Sequence, residues 1–286
     1  NKFNTLLMGM VAAERVFKIL DTESSIQDLG SKSADNIKGK IRYENVNFSY
    51  KKGEQVIDDF DIEIKSGSTN AIVGATGSGK STIIKLLNRF YDLDDGFIYI
   101  DDIKIEDYSI SSLRRNIGFV SQDVHLFSDS ILNNITLKNS NISFLRVKEA
   151  AKEIELDDFI SSLPDGYNYN VRERGVSLST GQRQLISFLR AYIKNPQILV
   201  LDEATSSIDT DSELLIQKAI DKITKNRTSI IIAHRLSTIM KADNIIVMDK
   251  GKIVEIGKHD ELLKNKKGFY NKLYEAQLKK EIIEFA

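Results

Sequence analysis

The sequence predicts an α/β fold built on a mainly parallel sheet, and three observations carry that expectation. Short, continuous apolar runs recur at NAIVG (Asn70 to Gly74), ILVL (Ile198 to Leu201), SIIIA (Ser229 to Ala233) and IIVM (Ile245 to Met248). Segments of helical period flank them, STIIKLLNRF after the first being the clearest. Strands without polar alternation need cover on both faces, which helices between them supply. Residues 130–193 hold no comparable run and read mainly as helices, a candidate second lobe.

Taken in order, the chain begins with Phe3, Leu6, Leu7, Met10, Val11, Phe17 and Leu20, mostly three or four residues apart. That spacing predicts an amphipathic helix over residues 1–20. Its apolar run, Leu6 to Ala13, is far short of the roughly 20 residues that span a bilayer. The chain starts at Asn1 without the charged and small-residue marks of a signal peptide. A piece of a longer polypeptide is the expected reading, removal of an initiator Met the alternative. Residues 21–40 are polar and nearly free of large apolar side chains, the composition of an exposed linker, and a boundary is placed there. Ile41, Tyr43, Val46 and Phe48 alternate as in a half-buried strand, and Ile62 to Ile64 mark another. Lys258 to Ala286 mixes apolar and charged residues as a helix that packs on the main body.

Composition narrows the function. With 41% hydrophobic and 28% charged residues in 286, the chain can bury a full core. Forty basic and forty-one acidic residues leave a net charge of -1. No overall field therefore draws in nucleic acid or an anionic membrane surface. The absence of cysteine excludes a disulfide framework, a thiolate metal site and a thiol nucleophile.

The chemistry starts at GATGSGKST, Gly74 to Thr82, which satisfies G-x-x-x-x-G-K-[ST] at Gly74, Gly79, Lys80 and Ser81. Glycines, Gly77 among them, let the backbone curl around phosphate oxygens. The following helix offers unpaired N–H groups and the positive end of its dipole. Placement after a strand and before a helix sets this apart from a chance glycine turn. It predicts a P-loop NTPase core in which Gly74, Thr76, Gly77, Ser78, Gly79, Lys80, Ser81 and Thr82 bind a nucleoside triphosphate. Lys80 would reach the terminal phosphates, and Ser81 would ligate magnesium. At the end of ILVL stand Asp202 and Glu203. Strand alternation turns one acid to the metal and the other elsewhere, where it can orient a water. A solvated loop start is the alternative for such a pair. A third element, LSTGQRQ (Leu178 to Gln184), is by itself no more than a capped helix start.

Together, in this order and spacing, the three elements resemble the ATP-binding cassette (ABC) family from Ile41 to about Glu275. That resemblance implies a mainly parallel core with an antiparallel β subdomain and a helical lobe, here about residues 123–193 of a nucleotide-binding domain 41–286. It implies ATP and magnesium as cofactors. Ser179, Gly181 and Gln182 match the signature that covers ATP held by a second cassette, with Thr180 in place of a glycine. Tyr50 resembles the aromatic that stacks on adenine; alone it would read equally as a strand-end core tyrosine. Gln122, in FVSQD, resembles the glutamine that touches magnesium and the attacking water. Ser206 to Asp209 resembles the loop that crosses the dimer, and His234 the switch histidine on the terminal phosphate. The catalytic set implied is Glu203, His234, Lys80 and Gln122, with Ser81, Gln122 and Asp202 on the metal.

What the ATP drives is read from three further stretches. MVAAERVFKILD resembles the cytoplasmic end of the last membrane helix in exporters that fuse membrane domain and cassette. RERG (Arg172 to Gly175) resembles an exporter loop that contacts the membrane domain, with Glu173 at its acid and Arg172 where glycine is usual. Only a modest helical lobe fits between Gln122 and Leu178. The expectation is an ATPase powering export from the cytoplasmic face of a bacterial plasma membrane. Its partners would be a second cassette, as homodimer or heterodimer, and a membrane domain of the same polypeptide, with no nucleic acid. A soluble cassette ATPase of DNA repair or translation and an importer subunit are the alternatives. Repair types carry long coiled coils and translation types two cassettes, neither of which is present in this chain.

Overall fold

The computed structural model describes residues 2–202, 210–233 and 235–284. The opening helix α1 (Lys2–Leu20) forms as its spacing predicts, but none of its residues is buried. Phe3, Leu6, Met10, Phe17 and Leu20 all lie exposed. Among the described residues, no helix is long and apolar enough to cross a membrane.

The polar stretch after α1, expected to be an exposed linker, is exposed only in part. Ala34 and Ile37 are buried, and the Ala34 N–H donates to Ser112 Oγ at 2.6 Å. Asp101 Oδ1 accepts from the Lys40 N–H at 2.9 Å, and Asp28 Oδ1 from Ile110 N–H at 2.9 Å. Two isolated apolar side chains and paired backbone groups dock the segment without the periodic apolar pattern that a sequence reading looks for.

Beyond it, β1 (Ile41–Ser49) and β2 (Gln55–Ile64) pair antiparallel. The strand β3 (Thr69–Gly74) enters the glycine loop, and α2 (Lys80–Leu87) leaves it. Next, β4 (Asp95–Ile100) and β5 (Ile103–Lys104) complete a four-stranded sheet in the order β2-β1-β4-β5. Helix α3 (Ile110–Asn116) leads into β6 (Ile117–Val120). The helical lobe follows as α4 (Ile131–Thr136), α5 (Phe144–Glu153), α6 (Asp157–Ser161) and α7 (Thr180–Tyr192). Serines begin three of these helices: Ser130, Ser143 and Ser179 each accept a backbone N–H in the first turn. Such a cap contributes about 1 kcal/mol.

The chain then alternates strand and helix: β7 (Ile198–Asp202), α8 (Thr210–Ile223), β8 (Thr228–Ile232), α9 (Leu236–Lys241) and β9 (Asn244–Asp249). An antiparallel edge strand, β10 (Lys252–Gly257), and helices α10 (His259–Lys264) and α11 (Phe269–Glu284) close it. The second sheet runs β10-β9-β3-β8-β7-β6, with all neighbours parallel except at β10.

Because strand side chains alternate, each central strand feeds two cores. Ala71, Val73, Leu199, Leu201, Ile231 and Val247 point into the core shared with the helical lobe. Ile72, Ile198, Val200, Ile230, Ile232 and Ile246 point into the core under the antiparallel sheet, together with Ile83, Ile84, Leu86 and Leu87 of α2. The unbroken apolar runs in the sequence are therefore strands covered on both sides. This double cover holds the carboxyl ends of β3 and β7 side by side with β8 between them.

Candidate functional site

Two glycines shape the loop at the end of β3. Gly74 sits at φ 155°, and a Cβ there would meet the Met248 carbonyl oxygen at 2.2 Å. Gly79 sits at φ 100°, where a Cβ would meet Ile57 Cδ1 at 2.7 Å. Both conformations disfavour a side chain, and both positions are walled by other strands. The tip, Ala75 to Gly77, is exposed, while Ser78 to Lys80 are buried.

Lys80 folds over the loop and donates to the carbonyls of Gly74 at 2.8 Å and Ala75 at 2.9 Å. Burial depresses its pKa, against which the Asp202 carboxylate pulls upward. A partly desolvated ammonium satisfied only by carbonyls is ready to exchange them for anionic oxygens. Ser81 Oγ lies 3.4 Å from Asp202 Oδ2, the last residue of β7. A hydroxyl and a carboxylate at this spacing are hard oxygen donors, which suits magnesium beside a phosphate. Among the described residues, the buried Ser78 hydroxyl has no hydrogen-bond partner.

Tyr50, just past β1, is half exposed and its hydroxyl lies 3.1 Å from Thr82 Oγ1. Phe48 meets its ring edge-on at 4.9 Å, and Tyr91 does so at 5.1 Å. Lys85 Nζ lies 5.6 Å from the Tyr50 ring centre. Tyr50 is therefore an aromatic surface beside the loop, not a core residue. Sequence reasoning missed Tyr91, which follows the helical segment as part of an unremarkable RFY string; only the fold brings it to Tyr50.

The signature turn lies on the helical lobe. Ser179 caps α7: its Oγ accepts from the Gln182 N–H at 3.2 Å, while its own N–H donates to Gln182 Oε1 at 3.0 Å. This reciprocal pair leaves the Ser179 hydroxyl proton available. Ser179 and Thr180 are exposed, whereas Gly181 is buried against the lobe. Thr180 Oγ1 accepts from Arg183 Nη2 at 3.0 Å, and Arg183 Nη1 donates to the Leu178 carbonyl at 2.8 Å. The hydroxyl that replaces a glycine thus holds an arginine that braces the turn.

Gln122, two residues beyond β6, is exposed and lines a cavity of about 460 Å³ with His125, Thr180, Arg183 and Gln184. A second route between these segments runs through Arg190 on α7. Its guanidinium donates to the carbonyls of Asn134 at 2.8 Å and His125 at 3.3 Å. The segment after Gln122 and the signature helix are therefore tied by direct hydrogen bonds.

The structure brings together Gly74 to Thr82, Tyr50 and Asp202. It sets Ser179, Gly181 and Gln182 on the other lobe, with Gln122 between. Glu203, His234 and the segment Ser206 to Asp209 lie outside the described residues.

The comparisons agree with this geometry. Residues 57–206 match the ABC transporter family model. An ABC transporter ATP-binding protein of Bacillus subtilis, YknV, is 47% identical over 276 residues, covering 96% of this chain and 46% of the relative. The ATP-dependent lipid A-core flippase of Wigglesworthia glossinidia brevipalpis is 45% identical, covering 94% of this chain and 46% of the relative. The chain thus spans about half the length of the curated relatives it matches. A solved bacterial Atm1-family ABC exporter with ATP bound superposes with a TM-score of 0.85 at 38% identity, over 96% of this chain and 48% of that one. A phosphate loop, a magnesium-ready hydroxyl and carboxylate, and a capped signature helix on one matching fold lead to one conclusion: the chain belongs to the ABC transporter family and is an ATP-binding ATPase of it.

Proposed function

We propose that this chain is the nucleotide-binding domain of an exporter, working at the cytoplasmic face of a membrane through an ATP-dependent head-to-tail dimer. Residues 41–286 form that domain, with its helical lobe at about 123–193. In this reading α1 is the cytoplasmic end of a membrane helix, and residues 21–40 are the connection to the cassette. The names of the relatives, a flippase and an exporter, and their roughly twofold greater length support it.

One observation carries the proposal. The loop tip and the signature turn both face solvent, and among the described residues no hydrogen bond joins them. A phosphate held by the loop therefore needs its second cover from another chain. In the closed pair Gly74, Thr76, Gly77, Ser78, Gly79 and Thr82 cradle the phosphates with backbone and hydroxyl donors, and Tyr50 stacks on adenine. Lys80 exchanges its carbonyl partners for the terminal phosphates. From the partner, Ser179 donates its free hydroxyl proton, and Gly181 and Gln182 offer the open end of the signature helix. Magnesium, held by Ser81, Asp202 and Gln122, would neutralise charge on the phosphate oxygens. Glu203 polarises the attacking water, and His234 contacts the terminal phosphate. Hydrolysis removes the group that both surfaces share, so the pair parts and moves what is attached to α1.

The test is Glu203→Gln. It should trap an ATP-dependent dimer on a sizing column while lowering single-turnover hydrolysis at least about a hundredfold. Unchanged single-turnover hydrolysis would remove Glu203 from its role. A variant that stays monomeric with ATP, even when joined to its membrane portion, would remove the dimer.

A further inference from the structure

The turn that carries Tyr91 is pinned at both ends. Beyond it, the Asp94 N–H donates to the carbonyl of Asn47, in β1, at 3.0 Å. Before it stands Arg114 of α3, whose guanidinium donates through Nε to the Asn88 carbonyl at 3.0 Å and through Nη2 to the Arg89 carbonyl at 2.6 Å. Asn88 and Arg89 directly follow α2, the helix that leaves the phosphate loop. Carbonyls at the end of a helix lack helical partners and carry the negative end of its dipole, so a forked cation suits them.

The grip falls where the chain turns. Arg89 sits at φ 49°, a left-handed conformation that a residue with a side chain adopts at a cost. Phe90 follows, with the Arg114 guanidinium carbon 5.0 Å from its ring centre. The next residue is Tyr91, which meets Phe48 at 5.6 Å as well as Tyr50 at 5.1 Å. The path from Arg114 to the Tyr50 ring therefore runs through Arg89, Phe90 and Tyr91.

We infer that Arg114 is a positioning residue for base recognition. It fixes the turn after α2, and with it the contact of Tyr91 on the ring where adenine stacks. Arg114 acts through these two tyrosines rather than on the nucleotide, and the inference rests on the stacking role proposed for Tyr50. Arg114 itself is exposed, so its replacement leaves both cores packed.

The test compares Arg114→Met with the parent for ATP and for tripolyphosphate, each titrated by calorimetry, with steady-state hydrolysis by the paired chain alongside. ATP affinity should fall about three- to fivefold and KM should rise, while kcat and tripolyphosphate affinity stay within about 1.5-fold. Arg114→Lys keeps the charge without the fork. It should lose about twofold, again for ATP alone, and it decides the matter if Arg114→Met fails to fold. Combined with Tyr50→Leu, Arg114→Met should cost nothing further. Equal losses for both ligands would make Arg114 a cap of α2 and overturn the inference. So would parental ATP affinity, or a full additional loss on top of Tyr50→Leu. Tyr50→Leu alone separates the two levels. If it weakens ATP at least about fivefold while Arg114→Met does not, only the inference falls. If it binds ATP as the parent does, the stacking role falls and takes the inference with it.

Discussion

The phosphate loop and the signature turn both present backbone N–H groups at a helix start, yet they are built in opposite ways. The loop is enclosed by its own chain: Met248 and Ile57 wall its glycines, and its lysine is folded back on its carbonyls. The signature turn is an exposed helix cap whose bonds are all local, from Ser179 to Gln182 and from Arg183 to Thr180. One surface is complete before ligand arrives; the other has no ligand within its own chain. The difference teaches where each half of the chemistry is stored. Charge and shape for the phosphate lie within one molecule, while in the proposed function the switch lies in bringing two together.

The sharpest way to break this contrast is Lys80→Ala. If the loop is the self-contained half, the lone chain should lose ATP affinity about a hundredfold or more, measured by fluorescent nucleotide titration. Affinity within a few fold of the parent would deny the loop that role. Ser179→Ala should act in the opposite manner. ATP binding by the lone chain should hold, while kcat/KM in the dimer falls on the order of a hundredfold through loss of one donor. A drop in lone-chain affinity would mean that the signature turn is not a surface for a partner. Some loss of helix stability, about 1 kcal/mol, accompanies it and is read separately by denaturant unfolding.

Tyr91→Ala examines the base rather than the phosphates. Its edge contact steadies Tyr50, so KM for ATP should rise about two- to tenfold with kcat nearly unchanged. Tripolyphosphate, which lacks the base, should bind as before; equal losses for both ligands would assign Tyr91 to the fold instead. The smallest effect belongs to Thr180→Gly, which removes the Arg183 brace. The dimer should still hydrolyse ATP, within about threefold of the parent. A much larger fall, measured at saturating ATP, would make that brace part of the signature surface itself.

How far the sequence could be read depended on how local each feature is. The glycine loop, the runs of β3, β7, β8 and β9 and the acid at Asp202 depend on residues close in the chain, and the structure has each in place. Three of the edge strands were not legible. β6 is four residues long and β5 two, too short for any period to develop, and β10 alternates exposed and half-buried positions without an apolar face. Residues 21–40 read as exposed because Ala34 and Ile37 stand isolated among polar residues and the segment's anchors, Ser112 and Asp101, lie more than 60 residues from the backbone they hold. Tyr50 had two even readings until Thr82 and Tyr91 were found beside it.

Residue type and order alone determined that this chain grips a triphosphate, because a phosphate loop is a short-range device: a strand, a turn of glycines and the first turn of a helix. Only the tertiary structure decided which surfaces that grip can share. Whether Ser179 faces solvent and whether Tyr91 meets Tyr50 depend on segments far apart in sequence. Desolvation and hydrogen-bond satisfaction are properties of a packed neighbourhood, and they exist only once the two sheets and the helical lobe have closed upon each other.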